Sequence, residues 1–214
     1  MTTLELETPH GPARAHLRLP GAASACLVLG HGAGGGVGAR DLVAVADAAL
    51  AQGIAVALVE QPYRVSGRRS PAPSLQLDAA WNAVVAQLLA GELRDLQLIA
   101  GGRSSGARVA CRTADASGAT GVLCLAFPLL PPARAGAVER PSRLAELEAV
   151  RVPTLVVQGT HDRFGIPPPG PRRTVVVVAG DHRLTADLDA VASAAGQWLG
   201  RVVQRRRRSA SAPG

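Results

Sequence analysis

Short apolar runs alternate with helix-like segments along most of the chain. Amphipathic or apolar stretches at 41–51, 74–90, 105–114, 142–150 and 188–202 have the 3.6-residue period of helices. Continuous apolar runs indicate strands whose two faces are both covered, as in parallel sheets. The sequence therefore predicts a three-layer α/β/α sandwich with a mostly parallel sheet. The strands are predicted at 25–29, 54–59, 96–100, 122–127, 154–158 and 174–178, with a pair of edge strands at 4–7 and 15–19.

Residues with special backbone preferences predict where several of these elements end. Ser74 is a predicted N-cap of the clearest helix, and Gly91 is its predicted end. Gly53 is the predicted end of the preceding helix. Residues 60–73, which are rich in proline, glycine and arginine, are predicted to form a loop.

The basic charge is concentrated at the C-terminus. The net charge is +7, and Arg201 with Arg205 to Arg208 supplies five of these charges, so residues 1–200 carry +2. We predict a single domain over 1–200 and a basic, disordered tail over 201–214. Because aromatic residues make up only 2% of the chain, a stacking surface for single strands is not expected, and no specific nucleic-acid partner is predicted.

Cysteine usage and the apolar windows indicate the compartment. Cys26, Cys111 and Cys124 are odd in number and lie in apolar surroundings, which favours buried thiols over a disulfide framework. The start of the chain lacks the basic and apolar regions of a signal peptide. The longest charge-free apolar window, 116–133, contains three prolines. We therefore predict no membrane span and a cytoplasmic location.

The glycine-rich turn after the strand at 96–100 carries the strongest chemical signal. Residues Gly102 to Gly106 match the pattern G-x-S-x-G, with Ser104 at its centre. An apolar strand precedes the turn and a helix follows it, as a nucleophile elbow requires. The pattern therefore predicts Ser104 as a catalytic nucleophile. A phosphate-binding loop or a plain tight turn is the alternative.

A serine nucleophile needs a base, and the base needs an acid. His182 lies between the last strand and the last helix, and Asp162 follows the strand before that one. The order serine, acid, histidine is the order of α/β-hydrolases. We therefore predict His182 as the general base and Asp162 as the residue that orients it, with Asp181 as a rival acid.

An oxyanion hole needs backbone N–H groups that face the developing negative charge. The N–H of Ser105, directly after the nucleophile, is one predicted donor. The second is predicted in the glycine-rich loop after the first core strand, at Ala33 or, as second choice, at Gly34. The alternative for this loop is a dinucleotide-binding turn, with Glu60 as its acidic residue. Because no other nucleotide signature is present, no cofactor is predicted.

A metal ion and an anionic substrate are two further ligands that the sequence could indicate. His161-Asp162 and Asp181-His182 contain metal-ligand residue types, but adjacent side chains rarely point the same way and no typical ligand spacing supports a site, so no metal is predicted. Arginines in or near the strand-end loops indicate either a solvated surface or a preference for carboxylated or phosphorylated substrates. These arginines are Arg64, Arg68, Arg69, Arg103 and Arg163.

Over residues 20–200 the chain resembles the α/β-hydrolase superfamily, in its lidless dienelactone-hydrolase-like branch. More narrowly, it is similar to a hydrolase-like group that includes a testis-expressed protein and a subunit of a nuclear acetyltransferase complex. The resemblance is carried by Gly30-His31-Gly32-Ala33-Gly34, Gly101 to Arg108, Phe127-Pro128-Leu129, Val152 to Leu155, Gly159 to Asp162 with Phe164-Gly165, and Gly180-Asp181-His182.

The resemblance implies a Ser104–Asp162–His182 triad and hydrolysis of a small acyl substrate. Ser105 and Leu130 depart from the methionine and histidine more usual in that group, which affects the expected shape of the pocket. The predicted function is a serine hydrolase acting on a small ester, thioester or lactone. A non-catalytic protein-interaction module on a hydrolase fold is the alternative.

Overall fold

The computed structural model describes residues 1–133 and 140–210, with side chains up to residue 204. Over these residues the chain forms eight strands and six helices. The strands are β1 (Thr2–Leu6), β2 (Ala13–Arg18), β3 (Ala25–Gly30), β4 (Ala55–Glu60), β5 (Gln97–Arg103), β6 (Val122–Leu125), β7 (Thr154–Gly159) and β8 (Arg173–Val178). The helices are α1 (Arg40–Leu50), α2 (Pro62–Val65), α3 (Ser74–Ala90), α4 (Ser105–Thr113), α5 (Leu144–Glu148) and α6 (Leu188–Ala210).

All eight strands belong to one sheet in the order β1-β2-β4-β3-β5-β6-β7-β8. The pairs β1–β2 and β2–β4 are antiparallel, and every pair from β4 to β8 is parallel. The central strands are buried along their whole length, as the continuous apolar runs predicted. The predicted three-layer sandwich is confirmed.

The sheet separates two apolar cores. One core packs α3, α4 and α5 against the sheet and includes the wholly buried Trp81 and Phe127. The other packs α1 and α6 against the opposite face and includes Leu42 and Trp198. Most of both cores consists of alanine, valine and leucine, in keeping with the small number of aromatic residues.

Several predicted element boundaries are wrong, each for a local reason. Strand β6 ends at Leu125, because Ala126 adopts a positive φ of 48° and bends the chain. The loop predicted over 60–73 contains the short helix α2, which begins at Pro62, a residue favoured at the first helical position. The cap of α3 is Pro73, and Ser74 is already helical.

All three cysteines are buried and free, as predicted. The sulfur atoms of Cys111 and Cys124 lie 3.5 Å apart between α4 and β6. Burial raises the pKa of Cys26 to about 12. The Cys26 thiol therefore stays protonated near neutral pH.

The last helix corrects the predicted domain boundary. Helix α6 continues past residue 200 to Ala210, and Val202 is buried against the core. A Cβ on Gly121 would lie 3.2 Å from Cγ1 of Val202, so this side chain fills space beside the sheet. Residues 201–204 therefore belong to the folded domain, and residues 211–214 of the predicted tail lie outside the described residues. Within residues 1–133 and 140–210, none of the helices combines the length and apolar character that a bilayer crossing requires.

Two truncations distinguish the folded part of α6 from the rest of the tail. Ending the chain after Gly200 removes Val202 and should lower the free energy of unfolding by about 2 kcal/mol, the contribution of one buried valine. Ending it after Gln204 keeps Val202 in place and serves as the control. Urea denaturation measures both. Equal stability of the two truncated proteins would contradict the assignment of residues 201–204 to the core.

The parallel strands bring their carboxyl ends to one edge of the sheet. Strands β3, β5, β7 and β8 end there at Gly30, Arg103, Gly159 and Val178. Ligands of such folds bind at this edge. The predicted site residues lie in the loops that follow these four strands, except for Ser105, which begins α4.

Candidate active site

Ser104 sits in a strained turn between β5 and α4. Its φ of 52° and ψ of −106° lie in a region that non-glycine residues rarely adopt. The Ser104 N–H donates to the carbonyl oxygen of Leu125 at 2.8 Å, which fixes the turn against β6. Strain of this kind is common at catalytic nucleophiles, because it holds the side chain above the sheet.

Glycines on either side of Ser104 let β3, β5 and α4 approach closely. A Cβ on Gly102 would lie 2.5 Å from the carbonyl oxygen of Gly30, and a Cβ on Gly106 would collide with the same carbonyl group. No side chain larger than hydrogen fits at either position unless the backbone moves. The glycines of the G-x-S-x-G pattern are therefore required by packing.

The substitution Gly102→Ala should lower the free energy of unfolding by about 2 kcal/mol or more, because the methyl group meets backbone atoms that cannot move aside. Gly36→Ala is the control, since a Cβ there meets nothing within 4 Å. The control should stay within about 0.5 kcal/mol of the parent protein. Equal effects in chemical denaturation would contradict the packing argument.

The structure brings Ser104, His182 and Asp162 into one hydrogen-bonded row. Nε2 of His182 lies 2.9 Å from Oγ of Ser104, and Nδ1 lies 2.8 Å from Oδ2 of Asp162. A carboxylate only accepts hydrogen bonds, so Nδ1 carries the ring proton and Nε2 is free to accept the proton of the serine hydroxyl. This is the geometry that a general base requires.

The carboxylate of Asp162 is wholly buried and surrounded by donors. Its Oδ1 accepts from the backbone N–H of Phe164 at 2.9 Å, and its Oδ2 accepts from Nε2 of Gln158 at 2.7 Å. Gln158 is completely buried at the end of β7, and its Nε2 also lies within hydrogen-bond distance of the Phe127 and Gly165 carbonyl oxygens. Gln158 is not among the residues predicted from the sequence, although a polar residue at the end of an apolar strand is a signal that could have indicated it.

Phe164 forms one wall beside the imidazole. Its ring meets that of His182 edge to face, with the centroids 4.5 Å apart. The Leu130 N–H donates to the Phe164 carbonyl oxygen at 2.8 Å, so the loop after β6 is joined to the loop after β7. Leu129 and Leu130 in the former loop are partly exposed.

The loop after β3 lies against the nucleophile. A Cβ on Gly32 would lie 3.7 Å from Cβ of Ser104, which places the next residue, Ala33, beside the elbow. The hydroxyl of Tyr63 donates to the Ala33 carbonyl oxygen at 2.9 Å. The loop is thus supported from α2, a contact that the sequence did not reveal because α2 was predicted as loop.

His31, in the same loop, is buried, and its role is structural. The Gln61 N–H donates to its Nε2, so Nδ1 carries the ring proton and donates to the Gly32 carbonyl oxygen at 2.8 Å. Burial lowers the pKa of His31 below its ordinary value. The neutral ring therefore joins the loop after β3 to the end of β4.

The buried neutral state of His31 makes stability depend on pH. Its pKa is lower in the folded than in the unfolded chain, so the unfolded chain binds more protons as the pH falls below about 6.5. Stability should therefore decline on acidification through that range, and His31→Gln should show a weaker decline. Denaturation of both proteins at about pH 7.5 and about pH 5.5 tests this. An unchanged pH dependence in the variant would show that His31 is not responsible.

The rival ligands and acids lie elsewhere. Oδ1 of Asp181 accepts from the Arg183 N–H at 2.8 Å, whereas the His182 ring is bonded to Asp162. His161 is exposed, and its Nδ1 lies 3.1 Å from the hydroxyl of Thr160. In the part of the chain that the structure describes, no three histidine, cysteine, aspartate or glutamate side chains form a cluster that could hold a metal ion.

A three-layer fold with a serine, a histidine and an aspartate hydrogen-bonded at the carboxyl edge of its sheet is typical of α/β hydrolases. The comparisons with known proteins agree with this class. A model of the family described as "Alpha/beta hydrolase domain" matches residues 23–193, so the chain belongs to this hydrolase family. No curated protein sequence matches significantly. The narrower resemblance to the testis-expressed group stays an expectation.

Solved structures of similar fold cover nearly the whole chain. XC6422 from Xanthomonas campestris, described as a serine hydrolase without a lid, is 20% identical with a TM-score of 0.73, and the match covers 94% of both chains. Est1E from Butyrivibrio proteoclasticus is 15% identical with a TM-score of 0.75, over 94% of this chain and 99% of its own. A dienelactone hydrolase from Anabaena variabilis is 16% identical with a TM-score of 0.72, over 94% and 96%.

Proposed function

We propose that the protein is a serine hydrolase that cleaves small esters, thioesters or lactones through an acyl-enzyme on Ser104. The observation that carries the proposal is the unbroken row of hydrogen bonds from Ser104 through His182 to Asp162. Each member of the row has the role that nucleophilic acyl transfer needs from it.

Acylation begins when Nε2 of His182 takes the hydroxyl proton of Ser104 as Oγ attacks the substrate carbonyl carbon. Asp162 accepts from Nδ1–H throughout and stabilises the imidazolium that forms. When the tetrahedral intermediate collapses, the bond to the leaving oxygen or sulfur breaks and the leaving group takes the proton from Nε2. In a lactone, the leaving hydroxyl stays attached to the acyl group.

Deacylation repeats these steps with water. His182 removes a proton from a water molecule, and the resulting nucleophile attacks the acyl carbon. Collapse returns the proton to Oγ of Ser104 and releases the carboxylic acid. The backbone N–H groups of Ser105 and Ala33 are the proposed donors to the oxyanion during both acylation and deacylation. The N–H of Gly34 is the second choice in place of Ala33.

The substrate class is proposed from the rim of the site. We propose that the partly exposed Leu129 and Leu130 form this rim, because the Leu130 N–H donates to the carbonyl oxygen of Phe164, whose ring packs against His182. Apolar side chains at the rim would suit a hydrocarbon or aromatic part of the substrate. The fold neighbours agree with small acyl substrates, since one is named a dienelactone hydrolase and Est1E has been solved with ferulic acid bound.

The test is covalent labelling together with turnover. The purified chain should form a stoichiometric adduct with a fluorophosphonate probe, and peptide mass spectrometry should locate it on Ser104. A panel of acyl esters, thioesters and lactones should include substrates that are hydrolysed and that slow the labelling. A native chain that gives neither an adduct nor turnover would refute the proposal and favour a non-catalytic interaction module.

A further inference from the structure

Arg103, the residue directly before the nucleophile, is enclosed within the site. Only 16% of its side chain is exposed. From the sequence, Arg103 is expected to be solvated or to bind an anionic substrate. Its guanidinium is instead engaged by protein groups on several sides, so the expectation of a solvated side chain is wrong for Arg103.

Three active-site segments meet at this guanidinium. Nη2 donates to the carbonyl oxygen of His182 at 2.8 Å, on the loop that carries the base. A Cβ added to Gly32 would lie 2.8 Å from Nη1 of Arg103. Nη1 therefore packs against the loop that holds the proposed oxyanion donor. The backbone of Arg103 closes β5 and leads directly into Ser104.

A buried carboxylate holds the guanidinium in this place. Nε of Arg103 forms an ion pair with Oδ2 of Asp41 at 2.9 Å, and the Asp41 side chain is 99% buried near the start of α1. Burial raises the pKa of Asp41, and the positive charge of Arg103 is the largest influence that opposes this rise. Oδ1 of Asp41 accepts from the Leu42 N–H, which fixes the carboxylate relative to the helix.

We infer that Arg103, held by Asp41, is a positioning residue that sets the distance between base, nucleophile and oxyanion loop during the reaction. The inference rests on the proposed function, because it concerns how the same site is held in register. The three segments follow β3, β5 and β8, and a small error in their relative positions lowers the rate of acyl transfer strongly.

The planar guanidinium is required for this role. Its Nε, Nη1 and Nη2 point in different fixed directions, so one group reaches Asp41, Gly32 and His182 at the same time. A lysine ammonium is a single point of charge and reaches only one or two of them. Gly32 is part of the arrangement, since any side chain there would occupy the space of Nη1.

The decisive variant removes both charges together. Arg103→Met alone would leave Asp41 as an unpaired buried charge and could unfold the protein. The double variant Arg103→Met/Asp41→Asn avoids this, because neither partner is left charged. We expect it to fold, to keep KM within about twofold and to lose kcat by about 10- to 100-fold.

A matched control lies on the helix that follows the nucleophile. Arg108 of α4 donates to Glu146 of α5 through Nε at 2.9 Å, and both side chains are about as buried as that of Arg103. Arg108→Met/Glu146→Gln therefore removes a partly buried ion pair, whose carboxylate also contacts Arg112, and the side chains of this pair bond to each other and to Arg112 rather than to the three segments. We expect this variant to change the unfolding midpoint and to leave kcat unchanged.

A spectroscopic signal gives a second readout that does not need turnover. We expect the Nδ1 proton between His182 and Asp162 to give a proton NMR signal far downfield, and the position of this signal reports the geometry of the hydrogen bond. We expect the signal to shift or broaden in the Arg103/Asp41 double variant and to stay in place in the Arg108/Glu146 variant.

The outcomes separate this inference from the proposed function. A labelled, active parent protein whose Arg103/Asp41 variant turns over like the control would overturn the positioning role alone. A parent protein without labelling or turnover would refute the hydrolase proposal. In that case the proton signal would test the positioning role of Arg103, because an unchanged signal in the double variant would overturn this role. A kcat of Arg103→Lys that lies above that of the double variant and below that of the parent protein would agree with a need for the full guanidinium.

Discussion

Replacing Ser104 by alanine is expected to abolish covalent labelling and to lower kcat by about 10⁶-fold, the cost of removing a serine nucleophile. No other hydroxyl is bonded to Nε2 of His182 among the described residues, so no neighbouring group can take over. The fold should persist, because alanine needs no more space than serine in the same turn.

Ser105→Ala is the matched control for this substitution. Ser105 is adjacent and also carries a hydroxyl, but its proposed role uses only the backbone N–H, which alanine retains. Its labelling and kcat should stay close to those of the parent protein. Equal labelling of Ser104→Ala and the parent, or loss of labelling in Ser105→Ala alone, would show that the nucleophile has been misassigned.

The second large effect is expected at Asp162. Asp162→Asn should lower kcat by about 10⁴-fold, because an amide no longer holds the imidazole in the required tautomer. Asp181→Asn should have a far smaller effect, since the Asp181 carboxylate accepts from the Arg183 N–H and does not touch the ring. Steady-state kinetics of both variants make the comparison. A large loss at Asp181 with a small loss at Asp162 would identify Asp181 as the acid.

The environment of Asp162 adds a stability effect to this prediction. The groups that contact its two oxygens are all donors: the Phe164 N–H, the Gln158 amide and the His182 ring. In either orientation, an asparagine would point its NH₂ group at a donor. The variant should therefore also lose about 1–3 kcal/mol of unfolding free energy, so kinetics must be measured well below its unfolding temperature.

The positions of the strands and the residues of the predicted triad follow from local patterns along the sequence, whereas the order of the strands within the sheet does not. Apolar runs mark buried strands. Ser104 follows one of them directly, and Asp162 and His182 lie three and four residues beyond the ends of β7 and β8. The sheet topology then brings the ends of these strands to one edge. Local pattern and global fold point to the same residues.

The missed features depend on contacts between segments far apart in the chain. Gln158 supports Asp162 from inside a strand, and Arg103 pairs with Asp41 across 62 positions of sequence. A single sequence gives no sign of which arginine meets which carboxylate. The boundary at residue 200 falls two residues short of the helical pattern predicted over 188–202, because the arginines that follow Val202 are typical of a solvated tail.

In the proposed mechanism, the strained turn at Ser104 makes the reactivity of this residue depend on the folded state. Its backbone conformation is maintained by the contacts of Gly102 and Gly106 with β3 and by the hydrogen bond to Leu125. In an unfolded or half-assembled chain, the same residue is an ordinary serine hydroxyl without a base. An activity-based probe would therefore label only the native molecules in a mixture. After dilution from denaturant, the rate at which the labelled fraction recovers would measure the refolding kinetics of the whole domain.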